Sequence, residues 1–266
     1  MPISRLFDIA GKTALVTGGS RGIGLMIARG FVDAGAKVYI SSRDASACEA
    51  AAKQLGKNCI PLAHDLGKMD EIRKLADEIK SRETALDILV NNAGAAWAEP
   101  FENYSEKGWD KLMDINLKAT FFLTQALLPL LRAAARADDP SRVLNIGSID
   151  GILAPSLETY AYSASKAAVH HLTRNLAKHL ARDNINVNAI APGPFETKML
   201  APVLAVSRKA IEAGVPRGRV GEDDDMIGAA IFYCSKASSY ITATVLPVDG
   251  GISGTPYAAL PWENGM

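Results

Sequence analysis

The stretch Thr17-Gly18-Gly19-Ser20-Arg21-Gly22-Ile23-Gly24 directly follows a short apolar run, Thr13–Thr17, and opens a helical pattern. In an open parallel sheet, ligands bind at the carboxyl ends of strands, where the free amides and dipole of a helix N-terminus favour a phosphate group. The spacing is GxxxGxG instead of the usual GxGxxG, and the Lys-Ser/Thr pair of a P-loop does not follow. A tight turn that only packs a helix on a strand is the alternative. The position after the first strand favours nucleotide binding.

On both sides of this turn, short apolar runs alternate with longer helical windows. This alternation predicts an α/β fold: a single Rossmann-like, doubly wound domain over residues 1–266, with helices on both faces of a parallel sheet of about seven strands. The sequence contains no internal repeat, low-complexity stretch or linker. The predicted strands are Thr13–Thr17, Lys37–Ser42, Ile60–Ala63, Asp87–Asn91, Arg142–Ser148, Ile185–Ile190 and Thr244–Val248.

The bulk composition excludes several classes of function. Lys plus Arg equals Asp plus Glu at 29 each, so no broad positive field would attract nucleic acid or an anionic membrane. Three cysteines without CxxC spacing favour reduced thiols in a cytoplasmic protein. Residues 1–12 lack the apolar stretch of a signal peptide, and no window approaches the roughly 20 apolar residues of a membrane helix.

Three segments depart from the alternating pattern. Residues 197–220 read as a long loop of the kind that forms a lid over a binding site. The tail, residues 252–266, carries Tyr257, Leu260 and Trp262, which we expect to pack against the pocket or a neighbouring subunit. Asp138 and Asp139 read as a solvated pair in a loop.

The charges near the second strand predict which nucleotide binds. An acidic residue at the end of that strand usually holds the 2′-hydroxyl of NAD, but Ser42-Arg43 occupies this position, and Arg21 lies in the glycine turn. Two guanidinium groups converging on one place suit a 2′-phosphate, although either could be a solvated surface charge. Asp44 reads as the start of the next helix. These residues favour NADPH.

Tyr162 and Lys166 have the spacing i, i+4 early in a helical window, which places a phenol and an ammonium on one helix face. A nearby cation can lower the phenol pKa of ~10 by ~1–3 units, which brings it closer to the useful range for acid–base catalysis. The pattern YxxxK is common by chance, so its neighbours decide its meaning.

Three neighbouring motifs strengthen the catalytic interpretation. Ser148 ends the fifth predicted strand, and the turn Asn91–Gly94 ends the fourth, so both would face the same cleft. Asn116 interrupts an otherwise apolar helix, where it is either a satisfied core amide or part of the site. The four histidines show no metal-ligand spacing, so no metal is predicted; we expect His170 and His171 to serve packing.

Taken together, these motifs resemble the short-chain dehydrogenase/reductase family over nearly the whole chain, and within it the 3-oxoacyl-thioester ketoreductases associated with rhamnolipid synthesis. The resemblance implies a catalytic set of Asn116, Ser148, Tyr162 and Lys166. It also implies that NADPH contacts Gly18, Ser20, Arg21, Gly22, Ile23, Arg43, Asp65, Leu66, Asn92, Ala93, Gly94, Tyr162, Lys166, Pro192, Gly193 and Thr197.

The resemblance further implies reduction of a ketone to an alcohol. Ser148 and Tyr162 would bind the carbonyl, Tyr162 would donate the proton, Lys166 would hold the nicotinamide ribose and Asn116 a water of the proton relay. Apolar residues predict a hydrophobic ketone or an acyl thioester as substrate: Trp97, Leu153, Leu157, Phe195, Met199, Leu200, Val203 and Leu204.

Alternative functions are oxidation of a secondary alcohol and, in another class, a non-catalytic NADPH-binding sensor or scaffold. Family members usually form tetramers or dimers, so a homotetramer or homodimer is expected.

Overall fold

A computed structural model describes residues 2–197 and 200–255, apart from the side chains of residues 202 and 203. The strands are β1 (Thr13–Thr17), β2 (Lys37–Ser42), β3 (Cys59–Ala63), β4 (Ile88–Asn91), β5 (Ser141–Ile146), β6 (Ile185–Pro192) and β7 (Val245–Val248). The helices are α1 (Gly22–Asp33), α2 (Ala45–Leu55), α3 (Met69–Arg82), α4 (Glu106–Leu112), α5 (Ala119–Ala134), α6 (Tyr160–Leu180), α7 (Ala201–Ala213) and α8 (Asp223–Cys234).

The strands form one parallel sheet in the order β3-β2-β1-β4-β5-β6-β7. The chain starts in the middle of the sheet, winds to one edge, and returns between β1 and β4 to build the other half. This reversal is the position where open α/β sheets bind nucleotides. The predicted fold class is confirmed, and the predicted strands agree with the observed ones to within two residues at each end. The two outer strands each contain one proline, Pro61 and Pro247.

Two apolar cores cover the two faces of the sheet. Along β1, Val16 faces the core formed with α1, α2 and α8, whereas Leu15 faces the core formed with α3, α5 and α6. Because both faces are buried, alternate residues of a strand are equally apolar, which explains the continuous apolar runs in the sequence.

The long helical window predicted between Trp109 and Arg136 consists of three segments. Between α4 and α5, residues Met113–Lys118 form a wider π-helical turn. Asn116 lies in this turn and is buried, and the Thr120 hydroxyl donates to its backbone carbonyl over 3.0 Å. Such turns often occur at functional sites.

The prediction of a long loop over residues 197–220 is wrong for its central part, because α7 occupies residues 201–213. The helix is interrupted at Ser207, whose φ of −133° and ψ of 22° are not helical. A proline near the start of α7 does not oppose a helix there, because backbone N–H groups in the first turn have no helical partner. Met199 and the tail residues Tyr257, Leu260 and Trp262 lie outside the described residues.

None of the helices in the described part of the chain is long and apolar enough to cross a bilayer. In the same residues, no cluster of three or more His, Cys, Asp or Glu side chains could hold a metal ion.

Asp139 is not the solvated loop residue predicted from sequence. It is only 6% exposed and accepts a hydrogen bond from Lys12 Nζ over 2.8 Å, while Arg142 Nη2 lies 3.5 Å from its other oxygen. The neighbouring Asp138 is exposed and pairs with Lys236 at 3.4 Å. Of two adjacent carboxylates, one is thus buried and the other exposed, because only Asp139 pairs with the buried Arg142 near the start of β5.

This contrast predicts different stabilities for two matched variants. Asp139→Asn leaves the buried Arg142 without this counter-charge and, among the described residues, leaves Lys12 with only Asp87, 3.8 Å away, so we expect the free energy of unfolding to fall by about 3 kcal/mol. Asp138→Asn removes an exposed pair and should change it by less than about 1 kcal/mol. Urea unfolding, with midpoint and slope both fitted, measures the difference; equal effects of the two variants would contradict the buried ion pair.

Candidate active site

The glycine turn between β1 and α1 forms an open cradle. Gly18 and Gly22 have positive φ angles of 65° and 54°, which side chains disfavour. A Cβ on Gly18 would lie 2.8 Å from Asn92 Nδ2, and one on Gly24 would lie 2.4 Å from the Gly18 carbonyl oxygen. The N-cap residue of α1, Arg21, does not cap the helix with its side chain. The first-turn amides can therefore receive a pyrophosphate.

Side-chain hydrogen bonds hold this turn to the neighbouring strands. The Thr17 hydroxyl accepts from the backbone N–H groups of Asn92 (2.9 Å) and Ala93 (3.0 Å), while Asn92 Nδ2 donates to the Thr17 carbonyl over 2.8 Å. The Ser20 hydroxyl donates to the Ser42 hydroxyl over 3.0 Å. Thr17 and Ser42 were not identified from sequence as parts of the site, since a threonine or serine at a strand end carries no distinctive signal.

Arg21 and Arg43 are both exposed at the rim of the cradle. The Asp44 carboxylate accepts a hydrogen bond from the Ala47 N–H over 3.1 Å and caps α2, as predicted. This bond lowers the pKa of Asp44, and the nearby charge of Arg21 lowers it further. Among the described residues, Arg21 and Arg43 form no ion pair, so the rim presents two guanidinium groups where a 2′-phosphate would lie.

The segment after β6 lies over the same cradle. Pro192 ends β6, and Gly193 packs so closely on β7 that a Cβ there would lie 2.7 Å from the Asp249 Cα. The Thr197 methyl lies 3.4 Å from the position of a Cβ on Gly22. The glycine turn therefore lies beside the segment that carries three of the predicted NADPH contacts, Pro192, Gly193 and Thr197.

The loop after β3 contains the predicted adenine contacts. Asp65 accepts a hydrogen bond from a backbone N–H two residues on, over 3.2 Å, whereas the Leu66 side chain is buried in the core and leaves mainly its backbone for a ligand. His64 anchors this loop to α3: its Nδ1 lies 3.1 Å from Glu71 Oε2 and its Nε2 lies 2.9 Å from Glu78 Oε2.

Tyr162, Lys166 and Ser148 meet at the ends of β5 and α6. Lys166 Nζ donates to the Ile146 carbonyl over 2.8 Å and lies 5.7 Å from the centre of the Tyr162 ring. Ser148 is buried and caps a short 3-10 turn, Ile149–Gly151. The three side chains thus surround one point, as the sequence predicts.

The electrostatics of this group differ from the prediction. Burial raises the pKa of Tyr162 to about 12, although a hydrogen bond with Ser148 opposes the rise. Burial also lowers the pKa of Lys166 to about 8. The expected fall of the Tyr162 pKa is therefore not seen in this structure, because desolvation is the largest cause of the shift and raises the pKa. The phenol is therefore protonated at neutral pH.

Asn116 links two parts of the site. Its Oδ1 accepts from the Ala95 N–H over 2.9 Å, and its Nδ2 donates to the Ala95 carbonyl (3.1 Å) and to the Ser165 hydroxyl (2.9 Å). Ser165 in turn donates to the Tyr162 carbonyl over 2.7 Å. Asn116 therefore holds the loop after β4, which includes Gly94, against α6.

Asp150 and His170 are site neighbours that the sequence did not reveal. Asp150 lies in the turn after Ser148, and burial raises its pKa. His170, predicted to be a packing residue, is buried one helical turn beyond Lys166, and burial together with the Lys166 charge lowers its pKa to about 4. Their sequence spacing matches no motif, so only the packing of this turn on α6 could identify them.

Tyr160, a second tyrosine at the start of α6, is directed away from Lys166. Its hydroxyl donates to Glu158 over 2.8 Å, and its ring packs edge-on against Phe101 and Tyr104, with centres 5.5 and 5.7 Å apart.

The predicted apolar pocket is only partly formed by the residues proposed for it. Phe195 belongs to the core beneath the site, and Trp97 packs on α4 with Lys111 over its ring at 4.5 Å. Leu153 and Leu157, between Ser148 and Tyr162 in the chain, are 37% and 62% exposed and remain candidates for substrate contact. Leu204 is buried, Leu200 is half-buried, and the Val203 side chain is not described.

A family model described as enoyl-(acyl carrier protein) reductase matches residues 18–253, which include the glycine turn and all four catalytic candidates. The chain belongs to the short-chain dehydrogenase/reductase family. It is therefore an oxidoreductase, and the predicted resemblance is confirmed.

Individual relatives agree with this assignment. The chain is 46% identical to a rhamnolipids biosynthesis 3-oxoacyl-[acyl-carrier-protein] reductase of Pseudomonas aeruginosa, over 92% of this chain and 97% of the relative. It is 35% identical to a gluconate 5-dehydrogenase of Gluconobacter oxydans, over 93% and 97% of the two chains. A Pseudomonas aeruginosa RhlG/NADP active-site complex superposes with a TM-score of 0.91 at 45% identity, covering 94% of this chain and 99% of that one.

The packing of His170 behind the site predicts the effect of a small substitution. A Cβ on Gly147 would lie 2.1 Å from His170 Nε2, so Gly147→Ala should displace Ser148 and cost roughly 1–3 kcal/mol of stability. We expect kcat/KM to fall at least about tenfold and thermal unfolding to occur earlier.

Adding His170→Ala should restore part of both losses, because it removes the overlapping ring. Gly228→Ala on α8 is the matched control, since a Cβ there would have nothing within 4 Å. If Gly147→Ala and Gly228→Ala have the same kcat/KM and the same unfolding temperature, then His170 does not pack closely against Gly147.

Proposed function

We propose that this protein reduces a ketone to a secondary alcohol with NADPH, and that Tyr162 donates the proton. The observation that carries the proposal is the meeting of three side chains: Tyr162 lies beside the buried Ser148, and the Lys166 Nζ lies 5.7 Å from the centre of the Tyr162 ring. A protonated phenol beside a serine hydroxyl can hydrogen-bond a carbonyl oxygen and give its proton to the developing alkoxide.

The residues of the site have the following proposed roles. NADPH, when bound, supplies the hydride to the carbonyl carbon. Ser148 and Tyr162 hydrogen-bond the carbonyl oxygen and stabilise the negative charge that develops there, and the Tyr162 proton then moves to this oxygen. Lys166, fixed by Ile146, binds the ribose hydroxyls of the cofactor. Asn116 holds the water through which Tyr162 regains its proton.

NADPH fits the cradle that the structure contains: two positive-φ glycines, an uncapped helix start and two exposed arginines. NADP is the cofactor of this enzyme, in agreement with two related structures that contain it. One is the Pseudomonas aeruginosa complex described above. The other is a gluconate 5-dehydrogenase from Burkholderia cenocepacia in complex with NADP and tartrate, which has a TM-score of 0.87 at 34% identity and covers 94% of this chain and 98% of that one. The residues proposed to contact it are Gly18, Ser20, Arg21, Gly22, Ile23, Arg43, Asp65, Leu66, Asn92, Ala93, Gly94, Tyr162, Lys166, Pro192, Gly193 and Thr197.

The substrate is a hydrophobic ketone, in the finer proposal a 3-oxoacyl thioester. The exposed Leu153 and Leu157 supply apolar surface beside Tyr162, and the Pseudomonas aeruginosa relative is named for such a thioester. Alcohol oxidation and a non-catalytic sensor are not favoured, since the chain is 46% identical to a relative named as a 3-oxoacyl reductase and matches a reductase family model over residues 18–253.

The same proposal includes a cytoplasmic homotetramer or homodimer, with residues 197–220 acting as the lid. The three cysteines are buried free thiols, which suits a reducing compartment. In a single chain, the apolar residues Val245, Leu246 and Val248 of β7 are only half-buried, which leaves side-chain surface for a second copy. Native mass spectrometry measures the number of subunits.

A pair of tyrosine variants tests the reaction. Tyr162→Phe removes the proton donor, so we expect kcat for a 3-oxoacyl ester with NADPH to fall by a factor of ~10²–10⁴. Tyr160→Phe should stay within about threefold of the wild type, because its hydroxyl bonds Glu158 outside the site. Turnover is followed at the nicotinamide absorbance, with thermal unfolding as a check on folding. Undiminished turnover by folded Tyr162→Phe would exclude the mechanism.

The cofactor preference has its own test. Arg43→Ala removes a charge-assisted hydrogen bond to the 2′-phosphate, so KM for NADPH should rise about tenfold, while KM for NADH stays within about twofold. Lys53→Ala, an exposed cation farther along α2, is the control for the change in net charge. If Arg43→Ala changed KM for NADPH and for NADH equally, Arg43 would be a solvated surface charge that does not bind the 2′-phosphate.

A further inference from the structure

The side chain of His64 joins the end of β3 to helix α3. Its Nδ1 lies 3.1 Å from Glu71 Oε2, and its Nε2 lies 2.9 Å from Glu78 Oε2. Only 11% of the His64 side chain is exposed. An imidazole with a hydrogen on each nitrogen donates to both carboxylates at once. The ring therefore bridges two carboxylates that lie on one face of α3, about two helical turns apart.

The two carboxylates are themselves held in place by cations of the same helix. Glu71 Oε1 accepts a hydrogen bond from Lys74 Nζ over 2.6 Å. Glu78 Oε1 accepts one from Arg82. The bond with Lys74 lowers the pKa of Glu71, and the bond with His64 lowers the pKa of Glu78, so both are ionised at neutral pH. Each carboxylate thus has one oxygen for His64 and one for a neighbouring cation.

The backbone of His64 lies beside the nucleotide cradle. Its N–H donates to the Ser42 carbonyl over 3.0 Å, and the Ser42 hydroxyl accepts from the Ser20 hydroxyl in the glycine turn. His64 therefore contacts α3 through its side chain and the strand end beside the glycine turn through its backbone. The residues that directly follow it, 65–68, begin from a fixed point.

We infer that His64 is a positioning residue for the adenine half of NADPH. Its bridge to α3 holds the turn that carries the proposed adenine contacts, Asp65 and Leu66, in the geometry that receives the base. The inference rests on the proposed function, because those two contacts belong to it. It adds a residue that acts on the cofactor through this turn alone.

Loss of the bridge should loosen the turn without unfolding it. The Leu66 side chain is buried in the apolar core and still anchors the far side of the turn. The affinity for a ligand falls with the fraction of time that its site has the binding geometry. We therefore expect weaker binding of the adenine half at unchanged chemistry, since Tyr162 and Lys166 act at the nicotinamide half.

Adenosine 2′,5′-bisphosphate tests the inference, because it contains only the adenine half of NADPH with its 2′-phosphate. His64→Ala should raise the Kd of this compound, measured by titration calorimetry, about fivefold to tenfold. KM for NADPH should rise by the same factor, whereas kcat at saturating NADPH should stay within about twofold of the wild type. His179→Ala, which removes an exposed histidine near the end of α6, should change none of these values.

Two double variants separate positioning from charge. Glu71→Ala/Glu78→Ala removes both partners of His64 together with two negative charges. If the charges acted alone, the anionic bisphosphate would bind more tightly; loss of the positioned turn should instead weaken its binding as much as His64→Ala does. Asp70→Ala/Asp77→Ala removes two exposed carboxylates from the same helix at the same spacing and should not raise the Kd.

A triple variant that lacks His64, Glu71 and Glu78 completes the cycle. Because the three side chains form one contact, removing all of them should raise the Kd no further than His64→Ala alone. Circular dichroism and thermal unfolding establish that each variant is folded.

An unchanged Kd in folded His64→Ala would overturn the inference, as would effects of the histidine and glutamate changes that multiply in the triple variant. Either result leaves the proposed function standing, because the wild type still binds and oxidises NADPH. A wild type that binds neither the bisphosphate nor NADPH would overturn the proposed function and this inference with it. A wild type that binds both and reduces no ketone would overturn the proposed reaction alone.

Discussion

The hydrogen bond from Lys166 Nζ to the Ile146 carbonyl joins the middle of α6 to the end of β5 in buried surroundings. Every other part of the catalytic group is positioned relative to it. Ser148 follows Ile146 by two residues, and Tyr162 precedes Lys166 by one helical turn. His170 lies one turn further along and fills the space behind Gly147. Because the Lys166 ammonium has a fixed hydrogen-bond partner in the Ile146 carbonyl, it keeps its position although burial lowers its pKa.

Behind this group, buried amides and hydroxyls connect the sheet to both of its long helices. Asn91 Nδ2 donates to the Thr124 hydroxyl over 3.0 Å and to Asn145 Oδ1 over 2.9 Å, and Asn145 Nδ2 donates to the Thr173 hydroxyl over 2.9 Å. The bonds run from α5 through β4 and β5 to α6. A satisfied polar network of this kind specifies one arrangement of its members, so the strand ends that carry the site have little freedom.

The parts of this fold that are predictable from sequence are those with a repeating physical cause. Strands buried on both faces produce apolar runs, and a phosphate-binding turn needs glycines at fixed spacing. Local context decided the rest. Asp139 is buried because it lies beside the buried Arg142, and the helix widens at Asn116 although the sequence predicts one continuous helical window there. The direction of the Tyr162 pKa shift depends on the depth of burial, which a spacing of i, i+4 does not encode.

The prolines of the two outermost strands limit how the sheet can grow. The carbonyls of Thr244 and Val248 accept from β6, and His64 donates to β2; by strand alternation, Pro61 and Pro247 direct their nitrogens outward. At each edge, one position that would donate to an added strand has no hydrogen to offer. Copies of the chain that associate alongside β7 therefore contact one another through side chains. The same missing donors make both edges of the sheet poor templates for amyloid-like strand addition.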